Sequence, residues 1–301
     1  MSASEISGLL CPSRVQRAPR GAALVAILLL LSAPLACSQS KPSRSAVLGF
    51  DRNDYPGDEE LPALRERFAY SGYWLNNPPQ EKQNQWRGKR QKLETAGFGF
   101  LVLFNGRLYA DLKTVSRAKL LGDSDAKQAS AAAKREGFPP RTVIFLDQEQ
   151  GGRMLPEQKA YIYAWVDGVA RAGFRSGIYC SGIAAADDGG IVTADDLNRN
   201  AQGRDILYWV TNDVCPPSPG CAFPDPAPDP SQSGVAFAEV WQLAQSPERK
   251  DFAGQCPKNY SPDGQCYSPR LEAARALAVD VNTATSSDPS HGRHQEPAAK
   301  P

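Results

Sequence analysis

The sequence predicts an exported, single-domain α/β protein, a (β/α)₈ TIM barrel that gathers carboxylates at the C-terminal ends of its strands. Three observations predict it. Short, near-continuously apolar runs recur along the chain, as strands buried on both faces require. Helical patterns sit between several of them, which implies parallel βαβ units. Eight such units in about 250 mature residues is the size of a TIM barrel. An open doubly wound sheet is the alternative, but no GxGxxG or P-loop fingerprint supports it.

The strands are expected, in order, at Ala46–Arg52, Tyr70–Leu75, Phe98–Gly106, Thr142–Glu149, Arg175–Ser181, Asp205–Asp213, Val240–Ala244 and Leu277–Thr283. Between the third and fourth, the Ala- and Lys-rich stretch Ser124–Glu136 reads as a helix closed by Gly137. Between the fourth and fifth, Pro156–Ala172 opens on proline, a favoured first helical residue, and closes at Gly173. Within it Ile162, Val166 and Val169 form an apolar stripe that can pack on a sheet. The Pro-rich segment Cys215–Gly234 suits neither strand nor helix, and a loop there, on the catalytic face, is placed to wall a cleft. Asp251–Pro269 reads as a second loop.

The termini lie outside the expected barrel, which spans 46–284. Arg14, Arg17 and Arg20 precede the apolar run Ala22–Leu31, which Pro34 breaks before the small residues Ala36 and Ser38. That run is short for a bilayer span, which needs about 20 residues, and its flanks are those of a signal peptide over 1–37. Leu35-Ala36-Cys37 resembles a lipoprotein cleavage box with the lipid on Cys37; cleavage after Ser38 and an uncleaved anchor are the alternatives. A polar linker follows over 38–45, and 285–301 is expected to be a disordered tail. Export agrees with the remaining cysteines. Of three pairings among Cys215, Cys221, Cys256 and Cys266, the local bridges 215–221 and 256–266 are the simplest. Cys180 sits within an apolar strand and reads as core.

Composition removes several function classes. The 34 Lys and Arg nearly balance 33 Asp and Glu, for a net charge of +1, and no basic stripe points to nucleic acid. The two histidines, His291 and His294, both lie near the C-terminus. Histidine-dependent nucleophilic triads and most zinc sites are thereby disfavoured. No metal or cofactor is expected, and a monomer is. Acid–base chemistry falls to carboxylates.

Those carboxylates sit where a barrel keeps its chemistry. Strand one ends in Asp51, strand four in Asp147-Gln148-Glu149, strand six in Asn212-Asp213; strand seven carries Trp241-Gln242 and strand eight Asp280-Val281-Asn282. Residues two apart on a strand share a face, so Asp147 and Glu149 both project to the mouth while Gln148 turns away. Crowding two carboxylates in low dielectric raises one pKa, giving a protonated acid beside an ionised partner. Glycoside hydrolysis needs that combination. Asp51 and Asp280, adjacent across the seam, complete the cluster. Asp213 also reads as turn chemistry before the Pro-rich loop. Among the strand-end aromatics Tyr73, Trp74, Tyr179, Tyr208, Trp209 and Trp241, most read as packing. Tyr179 and Trp241 are the candidates for stacking on a sugar ring.

These residues carry a resemblance. Gly49-Phe50-Asp51, Phe145-Leu146-Asp147-Gln148-Glu149, Gly177-Ile178-Tyr179-Cys180-Ser181, Trp241-Gln242 and Asp280-Val281-Asn282 resemble motifs of the family-25 glycoside hydrolases, the Chalaropsis-type lysozymes. Gly-Phe-Asp, the Tyr-Trp-Leu of strand two and Leu-Asp-Gln-Glu resemble more closely an exported bacterial glycoside-hydrolase-like family, found in mycobacteria among others, of unknown function. The resemblance implies a barrel with a peptidoglycan or related polysaccharide ligand. It implies Glu149 as general acid, Asp147 as the orienting or stabilising carboxylate and Asp51 as accessory. Asp280, Tyr179, Trp241, Gln242 and Asp213 are the substrate-binding candidates. Strands two and three and the Pro-rich loop depart from the lysozyme pattern. A barrel that binds glycan without cleaving it is therefore the alternative function, and a purely structural envelope lipoprotein a third.

Overall fold

The computed structural model describes residues 45–213, 224–244 and 279–294. The expected signal peptide and Cys37, and Cys215, Cys221, Cys256 and Cys266, lie outside the described residues. No helix among the described residues is long and apolar enough to cross a membrane.

Eight strands close into a barrel, each at an expected place. In chain order they are β1 (Val47–Asp51), β2 (Tyr70–Trp74), β3 (Gly99–Asn105), β4 (Val143–Asp147), β5 (Arg175–Ser181), β8 (Ile206–Thr211), β9 (Ala238–Ala244) and β10 (Asp280–Ala284). Around the barrel the order is β1-β10-β9-β8-β5-β4-β3-β2. A two-stranded hairpin, β6 (Ala184–Ala185) with β7 (Ile191–Val192), sits apart from it.

The barrel departs from eight parallel units at one strand. β10 runs antiparallel to both β1 and β9, while every other pair is parallel. An apolar run is blind to direction, so the sequence pattern could not show this. The reversal has a consequence at the mouth. Asp280 opens β10 and pairs in register with Asp51, which closes β1. Two carboxylates from strands of opposite direction thus reach the same end of the barrel.

The interior is filled by side chains, as small barrels require. A Cβ on Gly49 would fall within 2.4 Å of the Tyr70 ring, so only glycine leaves that ring room inside. Phe145 and Trp209 pack edge-on at 6.1 Å above it. Outward residues of the same strands meet the helices: Phe104 of β3 lies 6.4 Å from Trp165.

The helices are α1 (Leu61–Arg65), α2 (Arg90–Thr95), α3 (Tyr109–Leu112), α4 (Val115–Glu136), α5 (Pro156–Arg171) and α6 (Thr193–Arg199). α5 follows expectation: proline at its start and Ile162, Val166 and Val169 buried. α4 closes at Gly137 but begins well before Ser124, where the Thr114 side chain accepts from the Arg117 N–H at 3.3 Å. Its first turns mix basic and apolar residues, which hid the period. Small residues on its buried face let α5 approach closely; a Cβ on Gly122 would sit 2.3 Å from the Tyr161 carbonyl oxygen.

The expected disordered tail requires correction. Residues 286–294 fold back onto the barrel at the N-terminal ends of β3 and β4. β3 starts ahead of β4, so its first residues lack a partner on that side. The tail supplies one. Asp288 Oδ1 accepts from the Phe100 N–H at 2.8 Å and Ser290 Oγ from the Val102 N–H at 2.8 Å. The Ser290 carbonyl accepts from the Val143 N–H at 2.8 Å. Buried backbone donors must find acceptors, and here the polar residues that looked like linker provide them.

Candidate active site

The C-terminal ends of the strands open into a cleft of about 540 Å³ lined by Asp51, Asp147, Glu149, Tyr179, Gln242 and Asp280 among others. β4 ends at Asp147, and Gln148 and Glu149 continue beyond the ladder. Asp147 is buried, 4% exposed, whereas Glu149 opens to solvent in the cleft. Gln148 turns away and is buried, as the alternation predicts.

A hydrogen-bonded chain holds the opposite wall. Tyr179 donates from its hydroxyl to Gln242 Oε1 at 2.8 Å. With its amide so oriented, Gln242 Nε2 donates to Asp51 Oδ1 at 3.1 Å and to Asp280 Oδ2 at 3.3 Å. Asn282 Nδ2 also donates to Asp51 Oδ1, at 2.6 Å, while its own oxygen accepts from Trp209 Nε1 at 2.9 Å. Tyr179, Gln242, Asn282 and Trp209, from four strands, thereby fix one carboxylate.

Burial sets the protonation states. It lifts Asp51 from its ordinary 3.8 to about 6, opposed by the Asn282 and Gln242 hydrogen bonds and assisted by the charge of Glu149. Asp147 is raised well above the carboxylate range, first by burial, then by the charges of Glu149 and Asp51. Glu149 is raised by desolvation, against a hydrogen bond from Asp147 that lowers it. No N–H or hydroxyl of the described residues bonds either Asp147 oxygen. Its partner is the Glu149 carboxyl, and two carboxyls in contact share a proton. Burial favours the protonated form of Asp147, beside the Glu149 carboxyl.

The structure brings Asp51, Asp147, Glu149, Asp280, Tyr179 and Gln242 together. Two candidates fall outside the cleft. Trp241 is fully buried, and its Nε1 donates to the Asn212 carbonyl at 2.8 Å. On β9 it alternates with inward-facing Gln242, so it packs towards the helices and cannot stack on a sugar. Asp213 is buried and is not part of the cleft lining. Nor do the described residues 224–234 of the Pro-rich loop line it. They lean on the barrel wall, where the Pro228 carbonyl accepts from Thr283 Oγ1 at 2.7 Å.

Sequence reasoning missed other lining residues. Trp209 and Trp74 border the cleft although both read as packing, and Asn105 and Arg107 carry the β3 loop over its rim. The available signal was Asn105-Gly106-Arg107, a polar triplet ending an apolar strand. Gly106 is required there. Its N–H donates to the Asp147 carbonyl at 3.2 Å, and a Cβ would meet that oxygen at 2.5 Å.

Comparison with known proteins finds one family model and several solved structures similar to this chain. Residues 69–214 match the model of the Rv2525c-like, glycoside hydrolase-like domain. The match covers just under half of the chain. The matched stretch runs from β2 to β8 and contains Asp147 and Glu149. Among solved structures, an uncharacterised B. stearothermophilus protein is similar at 20% identity and TM-score 0.50, over 79% of this chain and 95% of that one. The Clostridium perfringens spore cortex lytic enzyme SleM is similar at 14% identity and TM-score 0.50, over 82% of this chain and 70% of that one. The Mycobacterium tuberculosis Tat-secreted protein Rv2525c is similar at 13% identity and TM-score 0.47, over 83% of this chain and 98% of that one. No curated protein matches the chain. The two likenesses at TM-score 0.50 are of fold.

Proposed function

We propose that the protein is an exported glycoside hydrolase acting on cell-wall peptidoglycan or a related polysaccharide, with Glu149 as the general acid. One observation carries the reading. Asp147 and Glu149 line the cleft side by side, Asp147 buried and favoured in its protonated form, Glu149 exposed to solvent. Glycan settling over Glu149 removes its water and favours its protonated form. The proton then passes from Asp147 to Glu149, and from Glu149 to the departing glycosidic oxygen. Asp147, left ionised, stabilises the positive charge that develops at the sugar or assists an N-acetyl group of the substrate as nucleophile. Asp51 is the accessory carboxylate, held by Gln242 and Asn282. The lytic activity named for SleM accords with a cell-wall glycan as substrate. Export rests on the N-terminal basic and apolar pattern, and a lipid on Cys37 on its cleavage box.

The test is release of new reducing ends from purified peptidoglycan and from chitin oligosaccharides. Wild type is expected to cleave at least one, and Glu149→Gln to lose about 10²–10⁴-fold in rate, the usual contribution of general acid catalysis. Absence of wild-type turnover on every glycan would overturn the enzyme reading. Glycan binding retained in that case would support the non-catalytic alternative.

A further inference from the structure

The cleft is acidic, with one exception. Asp51, Asp111, Asp147, Glu149 and Asp280 line it, and Arg107 is the only basic side chain among its described lining residues. That arginine is held in a single orientation. Its Nε and Nη2 donate to Oδ2 and Oδ1 of Asp125 at 2.6 and 2.8 Å, a two-pronged pair. Asp125 is buried on α4, 3% exposed, and also accepts from Tyr161 Oη at 3.0 Å and Gln128 Nε2 at 3.2 Å. The loop is fixed from the other side as well, through the Gly106 N–H on the Asp147 carbonyl.

A guanidinium is a rigid planar fork with five N–H donors. Asp125 takes one edge. Nη1 bonds no acceptor among the described residues, so a second edge stays available. We propose that Arg107 recognises a carboxylate carried by the glycan, with Asp125 as its positioning residue. The proposal rests on the reading of the cleft as the glycan site and names the glycan class: an acidic glycan, such as one whose muramic acid units keep a free lactyl carboxylate. The five carboxylates explain why the recognition point is at the rim. Those that are ionised repel an anionic group from the floor, so such a glycan enters in the one orientation that puts its carboxylate on Arg107.

The experiment compares two glycans of equal length, a neutral chitin oligosaccharide and an alternating glucosamine–muramic acid chain with free carboxylates. Binding is measured by calorimetry and hydrolysis by KM and kcat. Arg107→Gln is expected to weaken the acidic glycan by about tenfold, the loss of a charge-assisted hydrogen bond, in affinity and KM but not kcat. It should leave the neutral glycan unchanged. Arg107→Lys should recover part of the loss, and Asp125→Asn should move the same way as Arg107→Gln by less. Should Asp125→Asn fail to fold, Arg107→Gln, on a partly exposed side chain, decides alone. Equal losses for both glycans, or none for either, would overturn the proposal. Discrimination that depends on Arg107 in a protein that cleaves neither glycan would sink the hydrolase reading and leave this one standing.

Discussion

Asp51 shows what the barrel does to one carboxylate. Its folded pKa of about 6 exceeds its ordinary 3.8, so the folded state binds the proton more tightly than the unfolded chain. Stability from this group is therefore present at low pH and lost as pH rises from about 4 to about 6. The penalty at pH 7 is on the order of 2–3 kcal/mol. Asp51→Asn keeps an oxygen to accept from Asn282 and Gln242 and removes the buried charge. It should raise stability at pH 7 and flatten that part of the profile, as read by denaturant unfolding at pH 4, 5, 6 and 7. An unchanged profile would show that Asp51 titrates normally. The carboxylates were legible because strand alternation is local: Asp147 and Glu149 had to share a face. Trp241 was misread for want of the same rule applied one residue on, since Gln242 faces in and Trp241 must face out.

At the scale of elements, the direction of β10 and the fold-back of 286–294 position the site and brace the barrel. Both escaped the sequence. Antiparallel and parallel strands buried on both faces look alike, and Ser286–His294 lacks the apolar content that marks a packed segment. Its contribution is hydrogen-bond satisfaction instead. Asp288→Ala would orphan the Phe100, Gly292 and Arg293 N–H groups that its carboxylate now accepts from. An unsatisfied buried donor costs about 1–3 kcal/mol, and Phe100 is fully buried. Thermal unfolding should show a lower midpoint for this variant, with glycan binding unaffected at the distant mouth. No change in midpoint would mean the segment covers β3 without bracing it. The eight strands and the two long helices, by contrast, were legible from apolar runs, an opening proline and closing glycines.

For the whole molecule, the chemistry at the mouth is a property of the closed barrel. Asp147 is desolvated by the walls around it; Glu149 reaches it from the end of the same strand, and Asp51 reaches it from β1 only because the sheet closes. Opening the barrel would return all three to ordinary carboxylates. The general position of the site was legible in the fold class, while the resting place of its proton was not, since that depends on how deeply each carboxyl sits. The direct measurement is a pH titration of the side-chain carboxyl carbons of Asp51, Asp147 and Glu149 by NMR, assigned with the Asn and Gln variants. Asp147 is predicted to titrate well above the ordinary carboxylate range, Asp51 near 6, and Glu149 above the ordinary range. Midpoints near 4 for both Asp147 and Glu149 would contradict a proton stored in the barrel mouth, and with it the acid catalysis built on that proton.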